Sequence, residues 1–467
     1  MVVEWAGLGP ELLVPLDRTS REPLRAQLEG ALRDAIRRGR LRAGERLPSS
    51  RELARQLGVS RGLVQDCYGQ LHAEGYLRTR TGSATRVAEL PAGALAPGPA
   101  AAAVARPLRA DFAAGVPELA SFPRAEWLAA QREAFRLVPN AAFGYGDSRG
   151  NPTFRETIAG YLRRVRAAHA DPDNIVACGG FAQGLHLALG VLRQAGHRRI
   201  AFEDPGYGDD STLAATARAG LRAVPVPVDA EGIDVDALAA TGVRAVVVTP
   251  AHQWPTGVVM APARRQALVA WAIRHDAIIV EDDYDAEFRY DREPVGSLQG
   301  LAPDHVVTIG TVSKTLAPAI RLGWMLCPSA LTGAVLHDKR LVDRGSSLLD
   351  QLTVATLISS GRYDRHLRRM RGRYAARRQA LVRALAAYAP MVTLTGLAAG
   401  FHAVAHLPAG ADERTVIERA SAQRIGLYGM SGYRADGSST PPQLVVGFGN
   451  LSEDTIQAAV RVIGTLV

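Results

Sequence analysis

Apolar positions at helical spacing open the first clear unit of the chain. Between residues 23 and 38, Leu24, Leu28, Ala31, Leu32 and Ile36 recur every three or four positions, which predicts a helix with one buried face. Ser50 offers an N-cap to a second, short helix that stops at Gly58, because glycine accepts the left-handed turn that ends a helix. Ser60 caps a third helix, SRGLVQDCYGQLHAEG, on which Leu63, Val64, Cys67, Tyr68 and Leu71 form one apolar stripe ahead of Gly75. The string YLRTRTGSATRV then reads as two short strands around Thr81-Gly82-Ser83. Three helices and a two-stranded wing over residues 12–88 describe a winged helix-turn-helix, an α+β module.

The pattern breaks at ELPAGALAPGPAAAAVARP, where repeated Pro, Ala and Gly cannot bury a core. Residues 89–108 are therefore expected to be a semi-extended linker. Beyond it, the runs IVAC, RIAFE, AVVVT, AIIVE and HVVTI are uniformly apolar and of strand length. Helical stretches such as 183–194 and 262–275 separate them, so residues 109–467 predict an α/β domain with a mostly parallel sheet covered on both faces. A long arginine-rich helix is expected over 361–388, followed by a small α+β subdomain over about 390–467. There are no internal repeats.

The whole chain narrows the partners. Its 467 residues suffice for two or three domains with a full core. No apolar run has the roughly 18–20 residues of a membrane span. The N-terminal stretch has acids and prolines where a signal peptide would be basic and then apolar. Cys67, Cys178 and Cys327 are dispersed and odd in number, neither a disulfide framework nor a metal cluster. The expected place is the cytoplasm, at the nucleoid when DNA is bound, with no membrane association and no metal. The net charge is +9, and residues 1–88 hold fifteen arginines against ten acids, the footprint of a nucleic-acid partner.

The exposed face of the third helix carries Arg61, Gly62, Gln65, Asp66 and Gln70. Arg61 suits bidentate bonds to guanine, Gln65 suits adenine, and Arg51 is placed for phosphate. Thr81 and Gly82 at the wing tip would let the backbone approach a groove. Asp66 would repel phosphate and fits an intramolecular pair or a cytosine amino group. LPSSRELARQLGVSRGLVQDCYGQLHAEGYL closely resembles the GntR-type winged helix, with its Pro-Ser-x-Arg start, Val-Ser-Arg turn and Gly-Tyr-Leu close. The resemblance implies contacts to double-stranded operator DNA from Arg51, Ser60, Arg61, Thr81 and Gly82.

Lysine usage points to the chemistry of the larger domain. Of 55 Lys+Arg, only Lys314 and Lys339 are lysines. Arginine supplies a permanent charge, but it cannot lose a proton and condense with a carbonyl as a primary amine does. Lys339, in HDKRLVDR, reads as a solvated helix position, whereas Lys314 lies between an apolar run and a Pro/Gly turn in TIGTVSKTLAPAIRLGW. Pyridoxal phosphate needs an amine, a carboxylate facing its ring nitrogen, a phosphate cup and an aromatic over the ring. Lys314 supplies the first. Asp282, at the carboxyl end of the strand in AIIVEDDYDAEF, supplies the second, with Tyr284 directed at the ring oxygen. The glycine turn of CGGFAQGLHLAL opens a helix whose backbone N–H groups near Phe181 and Ala182, with Gln183, suit a phosphate. Thr311, Ser313 and Arg321 close that cup, and Tyr207, after the turn in EDPGYGDD, is placed to stack on the ring.

The ordered motifs CGG, EDPGY, TPAHQWPTG, EDDYD and SKT, with Arg321 last, resemble fold-type I aminotransferases. Behind a GntR-type winged helix, they resemble the MocR/GabR family of transcriptional regulators. The resemblance implies an internal aldimine at Lys314 and a head-to-tail homodimer to which Tyr145, in FGYGDSRGNP, sends its hydroxyl toward the neighbour's phosphate. Two departures stand out. Trp254 occupies the position of the usual asparagine before Pro-Thr-Gly, leaving His252 or Gln253 as substitutes at the ring oxygen. The strand QLVVGFGNLS has valines where a substrate-carboxylate arginine would fall, and Arg434 is the nearest replacement. A regulator that is not an enzyme, with at most a residual half-reaction, follows from that loss. Its effector is then pyridoxal phosphate itself, pointing to vitamin B6 metabolism, or an amine or amino acid such as 4-aminobutyrate. The alternatives are a working class I/II aminotransferase with an auxiliary DNA-binding domain, and a scaffold that takes up no cofactor. The stretch RYDRHLRRMRGRYAARR reads as the solvated face of the long helix or as an extension of the DNA surface through Arg368 and Arg371.

Overall fold

The computed structural model describes residues 16–78, 84–89, 107–207, 210–290 and 295–467. Two compact units divide the chain, Met1–Ala105 and Arg106–Val467. Thr81, Gly82 and residues 90–106 of the expected linker lie outside the described residues.

In the first unit, helices Leu24–Arg37, Ser50–Leu57 and Arg61–Ala73 precede an antiparallel pair, Leu77–Arg78 with Arg86–Val87. Leu28, Leu32 and Ile36 of the first helix meet Leu53, Val64 and Leu71 in one buried cluster, so the three-and-four spacing becomes the core. The second helix is capped one residue earlier than the sequence suggests. Ser49, in extended conformation, accepts from the Glu52 amide at 3.2 Å, and Ser50 is already helical. Gly58 closes that helix at φ 63°, and Ser60 caps the third by accepting from the Leu63 amide at 3.2 Å.

The second unit is built on an eight-stranded sheet. Its spatial order is Ile175–Cys178, Gly323–Leu326, Val306–Thr311, Ile278–Asp283, Ala245–Val248, Arg199–Asp204, Arg222–Asp229 and Gly232–Ile233. All five expected strands are present. Val247, Val280, Val307 and Ile309 face one apolar cluster while Val246, Val248, Ile279 and Val306 face another, which is why these strands read as uninterrupted apolar runs. The sheet is more mixed than expected, because Gly323–Leu326 runs antiparallel to both neighbours. That strand, Gly-Trp-Met-Leu, follows Leu322 and a Pro/Gly-punctuated turn, and its direction is not written in its own residues. Arg222–Asp229 escaped notice because Pro225 and Pro227 interrupt its pattern; prolines are tolerated where the ladder does not need their N–H.

A four-stranded antiparallel sheet, Thr393–Thr395, His402–His406, Gln443–Gly447 and Tyr428–Gly429, forms the small subdomain. Ala110–Asp111 pairs with Ile425–Gly426, so the first residues of the unit join this subdomain rather than the large one. The helix Arg362–Tyr388 buries Tyr363, Leu367, Met370, Tyr374, Leu381 and Leu385 along one side. Its arginines are not uniformly solvated: Arg362 pairs with Glu133, Arg377 with Glu118, and Arg371 donates to the Glu287 carbonyl at 2.8 Å, while Arg368 is exposed. Among the described residues, no helix is long and apolar enough to cross a membrane.

Lys339 is not solvated. It is fully buried, and its ammonium donates to Asp343 at 2.7 and 3.0 Å and to Ser346 at 3.2 Å. A helix position in a polar string turns inward here because an acid four residues on supplies the counter-charge. Removing the acid is worse than removing the base, since Asp343→Ala leaves a buried ammonium without its partner. We expect Asp343→Ala to cost about 3 kcal/mol and Lys339→Met much less, read as the loss in thermal-unfolding midpoint of the full chain.

Candidate cofactor pocket and DNA-reading helix

The pocket forms where the carboxyl ends of two parallel strands meet. Ile309 pairs with Asp282 and Gly310 with Asp283, so Asp282 stands beside the segment that continues into Thr311, Ser313 and Lys314. A cavity of about 270 Å³ opens there. Lys314, Asp282 and Tyr284 line it, with Thr311, Ser313 and Arg321 on another side and Phe181, Ala182 and Tyr207 completing it. These nine residues, assigned from sequence as cofactor contacts, thus converge from four separate stretches of chain. Trp254 and Pro318 complete the wall.

Lys314 Nζ donates to the Gly115 carbonyl at 2.6 Å. Burial lowers its amine below the ordinary lysine range, against the pull of Asp282 and Asp285. A neutral amine is the nucleophilic form. Asp282 is buried, and burial pushes its carboxyl up to about 8. Its Oδ2 accepts from the Tyr207 hydroxyl at 2.5 Å, while its Oδ1 has no partner. The Tyr207 bond was not legible in sequence, since the two residues are 75 positions apart. Tyr207 stacks on Phe181 with centroids 4.8 Å apart and on Trp254 at 6.3 Å.

The opposite end of the cavity suits an anion. Gly180, at φ 96°, leads into the helix Phe181–Gln194, whose N-terminus no side chain caps. A β-carbon at Gly180 would come within 3.1 Å of the Thr311 hydroxyl, so the glycine leaves that side of the turn open. Thr311 donates to Ser313 at 2.9 Å, which turns both hydroxyls toward the same turn. Pyridoxal phosphate fits this donor set. The unpartnered Asp282 oxygen matches a ring N–H, the amine matches an aldehyde, and the open helix terminus with Arg321 matches a phosphate.

Several expectations are corrected. Gln183 does not face the cavity: its carbonyl accepts from the Gly179 amide at 2.6 Å and its amide donates to Asp343 at 2.6 Å. It fixes the glycine turn from behind, and links that turn to buried Lys339 through Asp343. Neither His252 nor Gln253 replaces the missing asparagine. His252 bonds Asp285 at 2.8 Å, and Gln253 bonds Glu203 and the Pro205 and Trp254 carbonyls. Tyr284 directs its hydroxyl to the His252 carbonyl at 2.8 Å. Arg434 is no free clamp, because its guanidinium bonds the Ser438 and Pro441 carbonyls of its own loop and the Gln443 side chain at the start of the strand that follows. Tyr145, expected at a neighbour's phosphate and not at this one, is no correction: it is 82% exposed and lies beneath the Arg344 guanidinium at 5.6 Å.

In the first unit, Arg51, Ser60, Arg61, Gly62 and Gln65 are all exposed. Arg61, Gly62 and Gln65 share the first turns of the helix Arg61–Ala73, opposite buried Val64, Cys67 and Leu71. Ser60 uses its hydroxyl as the cap, so it can reach a phosphate only as a second role.

Comparison with known proteins divides the chain in the same way. Residues 24–87 match the family "Bacterial regulatory proteins, gntR family", and residues 110–463 match "Aminotransferase class I and II". The "Probable rhizopine catabolism regulatory protein MocR" of Rhizobium meliloti is 34% identical, over 96% of this chain and 94% of that protein. The "HTH-type pyridoxine biosynthesis transcriptional regulator PdxR" of Corynebacterium glutamicum is 32% identical, over 95% of this chain and 96% of that protein. Among solved structures, a multiple substrate aminotransferase from Thermococcus profundus superposes with a TM-score of 0.69 at 24% identity, covering 78% of this chain and 92% of that one. An α-aminoadipate aminotransferase of Thermus thermophilus, complexed with N-(5'-phosphopyridoxyl)-L-leucine, gives 0.67 at 24% identity, covering 76% and 91%.

Proposed function

The chain belongs to the MocR-type transcriptional regulators, in which a GntR-type helix-turn-helix domain precedes an aminotransferase class I and II domain, and from that premise we propose that it binds pyridoxal phosphate at Lys314 and changes its grip on operator DNA in response. The observation that carries this reading is the convergence of Lys314, Asp282 and the Thr311–Ser313–Arg321 group on one cavity, with an oxygen of Asp282 unpartnered. When bound, pyridoxal phosphate supplies an aldehyde that condenses with a primary amine and a ring that withdraws electrons. Asp282 holds a proton at the ring nitrogen. Lys314 offers its neutral amine, and Thr311, Ser313, Arg321 and the helix N-terminus orient the phosphate. Tyr207 and Trp254 exclude water from one side.

The same geometry speaks against amino-acid turnover as the main role. Val445 and Val446 are buried in the strand where a carboxylate-binding arginine would be needed, and Arg434 is committed to its loop and to Gln443. Without a guanidinium clamp, an amino acid is poorly positioned for proton transfer. The favoured effector is the cofactor itself, and the relative named for pyridoxine biosynthesis supports a role in vitamin B6 metabolism. An amine or amino acid that displaces Lys314 is the competing effector. Negligible turnover with amino acids and 2-oxoglutarate is expected; steady transamination would overturn the regulator reading.

A head-to-tail homodimer completes the proposal. Phe135, Leu137, Phe143 and Tyr145 are exposed, and the Phe135 and Phe143 rings lie 6.4 Å apart, an apolar surface that suits a second copy. Each ligand state would then favour one spacing of the two DNA-reading helices. Arg61→Ala should weaken operator binding by about 1–3 kcal/mol and relax sequence preference at one base pair. Arg51→Ala should instead weaken all DNA about equally and lower the salt slope by about one. Fluorescence anisotropy over a salt series, with operator and scrambled duplexes, separates the two.

A further inference from the structure

Behind the cavity lies a group of ionisable side chains that the chemistry above does not use. His252 follows the strand Ala245–Val248, Asp285 follows Ile278–Asp283, and His402 begins His402–His406. All three are at most 1% exposed. His252 Nδ1 and Asp285 Oδ2 are 2.8 Å apart, and the two imidazole centroids are 4.5 Å apart. Yet His252 Nε2 and Asp285 Oδ1 lack partners. Neither nitrogen of His402 makes a hydrogen bond of normal geometry, although the Pro255 carbonyl favours its protonated form. Buried polar groups are rarely left this way. Gly400, at φ 65°, seals the group: a β-carbon there would sit 2.2 Å from His252 and 2.4 Å from Asp285.

The cluster touches the pocket wall at two points. Tyr284 donates to the His252 carbonyl at 2.8 Å, and Trp254 packs edge-on against His402 at 5.1 Å. Asp285 also acts through charge, favouring the protonated form of Lys314 and opposing ionisation of Tyr284. We infer that Asp285, held by His252 and backed by His402 behind the pocket, is a positioning residue that sets the protonation state of the Lys314 nitrogen.

Other groups face the same charges. Asp282 favours the Lys314 cation and Arg321 opposes it. Tyr290 and Tyr374 feel Asp285, and Arg378 lies over the Tyr290 ring. Tyr284 also feels Asp282 and Glu203. Burial, then the charge of His252, holds His402 well below the ordinary imidazole range. Removing the Asp285 charge leaves Asp282 alone to oppose burial and Arg321 at Lys314, and its titration should move down.

The test uses the full chain in two arms. In cofactor-free protein, pulsed acetylation across pH, read by mass spectrometry of the Lys314 peptide, reports the amine itself. Asp285→Asn should lower its midpoint by about one pH unit. In cofactor-loaded protein, the pH midpoint of the visible absorbance should move the same way. Loosened packing would instead let water in and raise the midpoint toward ordinary lysine. A double variant, Asp285→Asn with His252→Gln, replaces the pair by two amides able to bond each other; it carries the same expectation if the single variant does not fold. An unchanged or raised midpoint in the folded variant overturns the inference, as does a divalent metal ion retained in stoichiometric amount by the three residues, whose ligand atoms lie within 4.8 Å of one another. The absorbance arm rests on the proposed cofactor and the acetylation arm does not, so a protein that takes up no cofactor fails the first alone.

Discussion

Asp282→Asn is expected to stabilise the cofactor-free protein above neutral pH and to weaken its hold on pyridoxal phosphate. In the unfolded chain this carboxyl ionises near 3.8, whereas burial delays ionisation in the fold to about 8. The raised value means that the protonated form carries the stability: it is fully present below about 3.8 and is lost as pH rises toward about 8. Each unit corresponds to about 1.4 kcal/mol, so several kcal/mol separate the two ends of that window. Asparagine keeps an oxygen for the Tyr207 hydroxyl and has nothing to ionise. The melting-temperature difference in favour of the variant should therefore widen from pH 5 to pH 8. Glu203, pushed up to about 7 by its own burial, contributes the same trend to both proteins and cancels in the comparison. With the cofactor present the order reverses, because a ring N–H faces the otherwise unpartnered oxygen of Asp282. Losing a buried pair worth about 3 kcal/mol predicts an affinity about a hundredfold lower, measured by equilibrium dialysis. Parallel pH profiles with undiminished affinity would show that Asp282 does not face the ring.

Lys314→Ala carries the second large effect. The variant should show no visible absorbance after reconstitution, and borohydride reduction should leave no added mass on the protein. The other lysine cannot stand in, since Lys339 is fully buried and bonded to Asp343 on the far side of the glycine turn. The fold should tolerate the change well. Lys314 makes one hydrogen bond, to the Gly115 carbonyl, and its removal relieves a buried amine of its desolvation. A stable variant that still acquires mass on reduction would move the covalent site elsewhere.

Much of this architecture was legible in the order of residues, for identifiable reasons. Parallel strands buried on both faces leave long apolar runs, and the winged helix carries its caps and stripe locally, within a few residues. The pocket was legible where chemistry limits the choice of side chain: an amine among arginines, an acid at a strand end, glycines before a helix. What escaped depended on partners distant in the chain. Gln183 looked like a phosphate ligand because of its place in the turn, and only Asp343, 160 positions on, shows why it points away. Lys339 looked solvated for a different reason: its partner Asp343 is only four positions on, and a polar string does not show which face of its helix is buried. The strand Gly323–Leu326 was hidden behind the turn that precedes it, and the cap at Ser49 instead of Ser50 was decided by backbone angles that either serine could have adopted. The His252–Asp285–His402 cluster joins residues up to 150 positions apart and gave no local signal.

The central claim is that occupancy of the Lys314 pocket changes DNA binding. Its most direct test is the affinity of the full chain for DNA upstream of its own coding sequence, with and without pyridoxal phosphate, in wild type and Lys314→Ala at one salt concentration. A shift of tenfold or more in wild type, about 1.4 kcal/mol of coupling, and none in the variant is the predicted result. Equal affinities in wild type with and without the cofactor, or a shift of the same size in the variant, would contradict it.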